Sequence, residues 1–274
     1  MTNSSPDRDD PAFAQPARSG ATRMADIPAA ILAQLNAGQL PTATLAEGLA
    51  IDMLALVQAA VPEVAELAAE RLAGDLGIVQ RMSVVGTLLA EELGLYGLRH
   101  LKKHPADTVR GWAAYMVAGL PGRPLDERLE LIRPLADDPH FAVREWAWLA
   151  LRPHLASDLP AALELLQPWT GADSANLRRF AVESTRPRGV WCAHIAALKH
   201  DPAAGLALLE PLRADDQRYV QLSVANWLND ASKSQPEWVR ALCERWAVES
   251  PAPATVWIIN HATRTLRKAA AAAR

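Results

Sequence analysis

Four stretches of the chain share one pattern: an apolar residue, then Arg or Gln, then a run of small and apolar residues. They are "DTVRGWAAYMVAGLP" from Asp107, "HFAVREWAWLALRPHL" from His140, "ANLRRFAVESTRPR" from Ala175 and "QRYVQLSVANWLNDAS" from Gln217. Aligned at Arg110, Arg144, Arg178 and Gln221, they lie 34, 34 and 43 residues apart. That period holds two short helices and their turns, and such a pair buries its apolar face only against its neighbours. From Ile27 onward apolar residues recur at three- and four-residue steps, and Pro, Gly or Asp-Pro breaks the pattern repeatedly. No segment shows sustained apolar/polar alternation with β-branched residues. The sequence predicts an all-α fold of short helices.

The tetratricopeptide pattern does not fit, because its Trp-Leu-Gly-Tyr spacing is missing. An Asp or Asp-Pro turn followed by an apolar residue, Arg and small apolar residues is closer to HEAT-like repeats. We therefore expect a HEAT-like helical-repeat solenoid over residues 25–268, with a concave binding face. Residues 1–24, rich in Ser, Pro, Asp and Gly, are expected to be a disordered tail, and residues 269–274 an Ala-rich C-terminal end.

The chain of 274 residues is half hydrophobic and can bury a sizeable core. Its formal charge of −3 excludes only a wholly basic nucleic-acid binder. Lys and Arg number 12 against 18 Asp and Glu in residues 1–139, and 16 against 13 in residues 140–274. A polyanionic partner should meet the second half. Cys192 and Cys243 lack metal or redox spacing and are expected to be buried thiols of a cytosolic protein. No apolar run spans a bilayer, and the opening "MTNSSPDRDDP" lacks signal-peptide order. A cytoplasmic location, no membrane partner and a monomeric state are the expectations.

The stretch "RRFAVESTRPRGVW" holds four arginines, one glutamate and one tryptophan. Arg178 sits at the recurrent position and is expected to tie the preceding turn, with DNA contact as the other role. Arg179, Arg186 and Arg188 do not recur. Pro187 ends or bends the helix and leaves Arg186 and Arg188 at its terminus. Guanidiniums gathered there suit phosphate oxygens, which they contact in bidentate fashion; the alternative is a solvated charged face. In "SVANWLNDASKSQPEWV", Asn226 and Asp230 share a helix face one turn apart, as do Asn229 and Lys233. Asp230 is expected to be tied to Asn226 or Lys233.

"RRFAVESTRPRGVW" followed by "YVQLSVANWLNDASKSQPEWV" resembles the HEAT-like-repeat DNA alkylation repair proteins, the AlkC/AlkD-type DNA glycosylases, and lies nearer the AlkC branch. The resemblance runs from about Phe141 to Trp246 and is weak before residue 100. It implies removal of cationic alkylated bases, such as 3-methyladenine, 3-methylcytosine or 7-methylguanine, from double-stranded DNA without metal or cofactor. It also implies that Arg179, Glu183, Trp191 and Asp230 fall on active-site positions. Asp230 is then the group beside the sugar, Glu183 positions water, and Trp191 or Trp148 meets the cationic base. Arg178, Arg179, Arg186, Arg188 and Lys233 hold the DNA backbone.

One position departs from that pattern: where a glutamate would open a segment like "WLALRPHL", this chain has Trp148, and Glu145, three residues earlier, is the substitute carboxylate. It would act as a catalytic group or pair with Arg144 or Arg179. The chain ends soon after "HATRTLRKAAAAAR", so it is expected to lack the C-terminal β-sandwich domain some members carry. Two readings stand beside the glycosylase: a non-catalytic DNA-structure binding protein on the same scaffold, and a HEAT-like protein-interaction scaffold. His100 and His104, one helical turn apart, lack a third zinc ligand and are expected at the surface or as caps. Most of Trp112, Trp146, Trp169, Trp227, Trp238, Trp246 and Trp257 should pack between helices.

Overall fold

A computed structural model describes residues 18–272. Among the described residues there are α-helices and short 3-10 turns and no strands, the all-α helical-repeat fold that the sequence predicts. The residues expected to form one domain divide into two compact units, one ending at Leu151 and the other beginning at Arg152. The division falls inside a helix.

The first unit holds α1 (Ala29–Asn36), α2 (Leu45–Ala50), α3 (Met53–Ala60), α4 (Ala65–Arg71), α5 (Ile78–Leu101), α6 (Asp107–Gly119), α7 (Leu125–Ala136) and the start of α8 (Phe141–Ser157). Its core forms where α5 and α6 lay their apolar stripes together, with Met82, Val85, Leu88 and Leu89 fully buried on one and Val109, Trp112 and Met116 on the other. Trp112 buries its indole completely and its Nε1 donates to Met53 Sδ at 3.2 Å. Of the expected tail, residues 1–17 lie outside the described residues. Residues 18–24 are held in place: Arg18 donates to both oxygens of buried Glu47, at 2.6 and 2.7 Å, and Thr44 Oγ1 donates to Ala21 O. Residues 18–24 depart from the expected tail because an isolated Arg can be anchored by a carboxylate that composition does not reveal.

The second unit holds the rest of α8, then α9 (Leu159–Leu166), α10 (Ala175–Glu183), α11 (Ala196–His200), α12 (Leu206–Leu209), α13 (Arg218–Ser232), α14 (Pro236–Glu249), α15 (Pro253–Ala262) and α16 (Arg264–Ala272). Residues 269–272 continue α16. Helix α13 is central, burying Val220, Val224, Trp227 and Leu228 against Val182, Leu198, Leu209, Val239, Trp246 and Ile258. Each buried Val, Leu or Ile side chain contributes about 1.5–3 kcal/mol, which makes this cluster the unit's main source of stability.

The recurrent polar residues do the same work in every repeat. Arg110 Nη1 donates to the carbonyls of His104 and Pro105, Arg144 Nη1 to those of Asp138 and Pro139, and Arg178 Nη1 to those of Ala172 and Asp173. Gln221 Nε2 donates to Asp215 O. The acceptors lie five and six residues upstream, on the turn before each helix, where carbonyls would otherwise lose water without gaining a donor. Two rungs extend to the following repeat: Arg110 pairs with Asp138 at 2.8 Å and Arg178 with Asp215 at 2.7 Å.

Candidate functional site

Helix α10 is capped by Ser174, whose Oγ accepts from Asn176 N at 3.2 Å, and ends at Glu183, four residues before Pro187. The chain then turns: Arg186 N donates to Glu183 O, and Ile195 N donates to Pro187 O, closing the loop. The loop is pinned from beneath by Arg152 of α8, a residue only 2% exposed. Its Nε donates to Ala193 O, Nη1 to Ser184 O and Nη2 to Arg186 O. Gly189 is required there, since a Cβ would stand 2.1 Å from Cys192 Sγ and 3.3 Å from the Arg152 guanidinium. Trp191 rides on this loop at φ 63° and 49% exposed, a left-handed conformation that costs a non-glycine residue about 1 kcal/mol or more.

Arg186 forks between two carboxylates. Its Nη1 donates to Glu183 Oε1 at 2.7 Å, while Nε and Nη2 both reach Asp230 Oδ2, at 2.9 and 2.8 Å. Glu183 Oε2 accepts from Ser223 Oγ at 2.7 Å and lies 3.4 Å from Arg179 Nη2. Arg179 also donates to Tyr219 O and stands over the Tyr219 ring, 4.1 Å from its centroid. Lys233 Nζ donates to Asp230 Oδ1 at 3.2 Å. Arg179, Glu183, Arg186, Asp230 and Lys233 thus form a continuous chain of charge between α10, its loop and α13. The carboxylates are buried, with side chains 3% and 5% exposed, whereas Lys233 is 40% exposed and closes the solvent side.

Burial alone would raise the Glu183 pKa. The charges of Arg186 and Arg179, with hydrogen bonds from Arg186 and Ser223, more than offset it and bring the pKa down to about 2. Burial works against the charged form of Arg186 too, and the two carboxylates reverse that, so its pKa rises. Burial raises the Cys192 thiol pKa, so it is a poor nucleophile.

The sequence assigns Glu183 a water, but in the fold both of its oxygens are taken by Arg186, Arg179 and Ser223. Arg178 stands apart from the cluster: every nitrogen of its guanidinium is engaged by Asp215, Asp216 or a turn carbonyl. Arg188 Nη2 donates to Ser234 Oγ at 2.7 Å, and its Nε is buried without a partner. Asp230 is tied to Lys233 and not to Asn226, which accepts from Arg264 Nη2 at 2.8 Å; Asn229 accepts from Thr265. In the first unit, Trp148 is 6% exposed and its Nε1 donates to Glu145 Oε2 at 2.8 Å. Of the tryptophans assigned to packing, Trp112, Trp169, Trp227 and Trp246 are buried. Sequence reasoning missed Arg152, Ser223, Tyr219 and Arg264. Only Arg152 left a signal, as a second arginine within the apolar run of a repeat helix.

Residues 143–271 match the model of the DNA alkylation repair enzyme family. Over 139 residues the chain is 40% identical to the uncharacterized protein YhaZ of Bacillus subtilis (strain 168), a match covering 51% of this chain and 38% of YhaZ. The fold is similar to that of the Pseudomonas fluorescens alkylpurine DNA glycosylase AlkC bound to DNA containing an abasic site analog, with TM-score 0.64 and 29% identity over 79% of this chain and 61% of AlkC. It is also similar in fold to AlkD2 from Streptococcus mutans, with TM-score 0.58 and 22% identity over 74% of this chain and 97% of AlkD2. The chain therefore spans less than two thirds of the length of YhaZ and of AlkC. The charged cluster lies inside the matched segment, so the part of the chain that holds it is similar to the DNA alkylation repair enzyme family, and the fold is similar to that of AlkC.

Proposed function

We propose that the protein binds alkylated double-stranded DNA as a monomer and hydrolyses the N-glycosidic bond of cationic alkylated bases, 3-methyladenine, 3-methylcytosine or 7-methylguanine. The observation that carries this reading is the Arg186 fork, which holds two buried carboxylates beside the more exposed Lys233 within the matched segment. A base that carries positive charge is a good leaving group. As the C1′–N bond breaks, its electron pair neutralises the base, and C1′ is left oxocarbenium-like. The oxygen of a water molecule then bonds to C1′ and its proton passes to solvent. Asp230 places negative charge where the sugar becomes positive, the electrostatic arrangement that contributes most in such sites.

Glu183 acts in this scheme through Arg186 and Arg179, as a positioning residue. Trp191, half exposed, offers its face to the cationic base, an attraction of about 0.5–2 kcal/mol that neutral bases lack. In this scheme Arg188 and Lys233 meet flanking phosphates, Arg179 and Arg186 hold the carboxylates, and Arg178 serves the fold. The chemistry calls for no metal or cofactor, because the base's own charge drives its departure.

The test is release of bases from methylated duplex DNA, resolved by chromatography, by wild type, Asp230→Asn and Glu183→Gln. Release that collapses in Asp230→Asn supports the glycosylase. Binding of the same duplex with no release above the protein-free control would replace it with the non-catalytic DNA-structure binder, which the Trp148 substitution favours.

A further inference from the structure

The end of α5 carries a second cationic surface, in the half of the chain where acidic residues outnumber basic ones. Helix α5 breaks at Gly94, where φ is 52° and ψ −146°, a conformation open to glycine and strained for other residues. Beyond the break, Tyr96, Arg99 and His100 follow at i, i+3 and i+4 and so share one face, and Lys103 lies in the turn that ends the helix. All four are exposed, Tyr96 at 74%. Tyr96 and His100 hold each other, with ring centroids 4.4 Å apart and His100 Nδ1 2.9 Å from Tyr96 O. Lys102 stands half-buried beside them. No acidic residue occurs between Glu92 and Asp107. Glu91 is paired with Arg71 at 2.6 Å, and Glu92 precedes the break.

A helix C-terminus favours cations through its partial negative charge. That field accounts for Arg99, Lys102 and Lys103 but not for a bare, braced tyrosine in their midst. Arginine, lysine and the tyrosine hydroxyl are the donors that meet phosphate oxygens along a duplex. We infer that the Tyr96–Lys103 surface is a second contact for the phosphate backbone of double-stranded DNA, independent of sequence and lesion. It rests on the DNA-binding reading above and adds a site in the first unit to it.

The test uses the full chain and a fluorescently labelled undamaged duplex, with binding constants measured across a salt series by anisotropy. Replacing Arg99 and Lys103 by Ala, together with Tyr96→Ala, should lower the slope of log K against log salt by about 2, since each phosphate contact contributes about 0.9. The affinity at moderate salt should fall about tenfold or more. Arg99→Lys alone should keep the slope. Should the triple variant melt below wild type, the charge reversal Lys103→Glu is measured in its place and should lower the slope by at least about 1. An unchanged slope in a folded variant overturns the second contact while leaving the glycosylase reading intact. Failure of wild type to bind any duplex removes both.

Discussion

Arg186 reaches Asp230 through two nitrogens of one guanidinium, at 2.9 and 2.8 Å, and spends the third on Glu183 at 2.7 Å. Lysine has one ammonium and cannot hold both carboxylates in that planar arrangement. In Arg186→Lys, Asp230 keeps its charge but loses its fixed direction. Single-turnover base release should drop about 100-fold, the effect of removing one preorganised electrostatic group, while duplex affinity changes by only a few-fold. Equal losses in rate and affinity would make Arg186 a plain DNA contact.

Glu183 gives the fold an acid-sensitive tie. Its folded-state pKa of about 2 lies below the ordinary 4.5, so it stabilises the native state fully above about pH 4.5 and loses that contribution as pH falls toward 2. The tie is worth on the order of 3 kcal/mol at neutral pH. Glu183→Gln should therefore be less stable than wild type at pH 7, and the gap between their urea midpoints should narrow steadily below about pH 4.5. A gap that stays constant through that range would show that the carboxylate's charge contributes nothing.

What the sequence makes legible is what the chain writes locally. The arginines at 110, 144 and 178 repeat because each serves a turn five and six residues behind it, so the spacing of the repeat is the spacing of the tie. Asp230 with Lys233 is also legible, the two being three apart at the end of one helix, whereas Glu183 and Arg186, equally close, are assigned by the sequence to water and phosphate and instead pair with each other. The Arg186–Asp230 contact spans 44 residues and exists only once α10 and α13 pack. Arg152 is harder still, because its acceptors are backbone carbonyls, which carry no residue signature. The anchoring of Arg18 by Glu47 is hidden for the first reason, and it holds residues that the sequence assigns to the tail.

Arg178 separates stability from binding. Its guanidinium joins two turn carbonyls to Asp215, so Arg178→Met leaves two carbonyls without this donor and a buried carboxylate with the Gln217 N–H but no cation. The loss should be about 3 kcal/mol, visible as a lower urea midpoint with an unchanged m value. Because none of its nitrogens faces a phosphate, the salt slope of duplex binding should match wild type. Arg188→Ala should do the reverse, keeping the midpoint and lowering the slope by about 1.

Arg152 is the residue on which the geometry of the site depends without touching any charged group of it directly. It meets the loop carrying Arg186, Arg188 and Trp191 at Ser184, Arg186 and Ala193, and burial lowers its pKa without discharging the guanidinium. Methionine fills similar space but donates nothing, so Arg152→Met leaves three carbonyls to find water or open the loop. Each unsatisfied buried group costs about 1–3 kcal/mol. A global loss near 3 kcal/mol is expected, and the loop should open more often than the rest of the unit. Trypsin reports this directly, since Pro187 blocks cleavage after Arg186 and leaves Arg188 as the cut site within the loop. Gly189→Ala presses a Cβ on Cys192 and the same guanidinium, so it should raise cleavage at Arg188 as well. Combined with Arg152→Met, it should add less than its single effect, because both changes release one loop. Full additivity would mean that Arg152 and Gly189 stabilise separate elements, and that the loop is held by something other than the buried arginine.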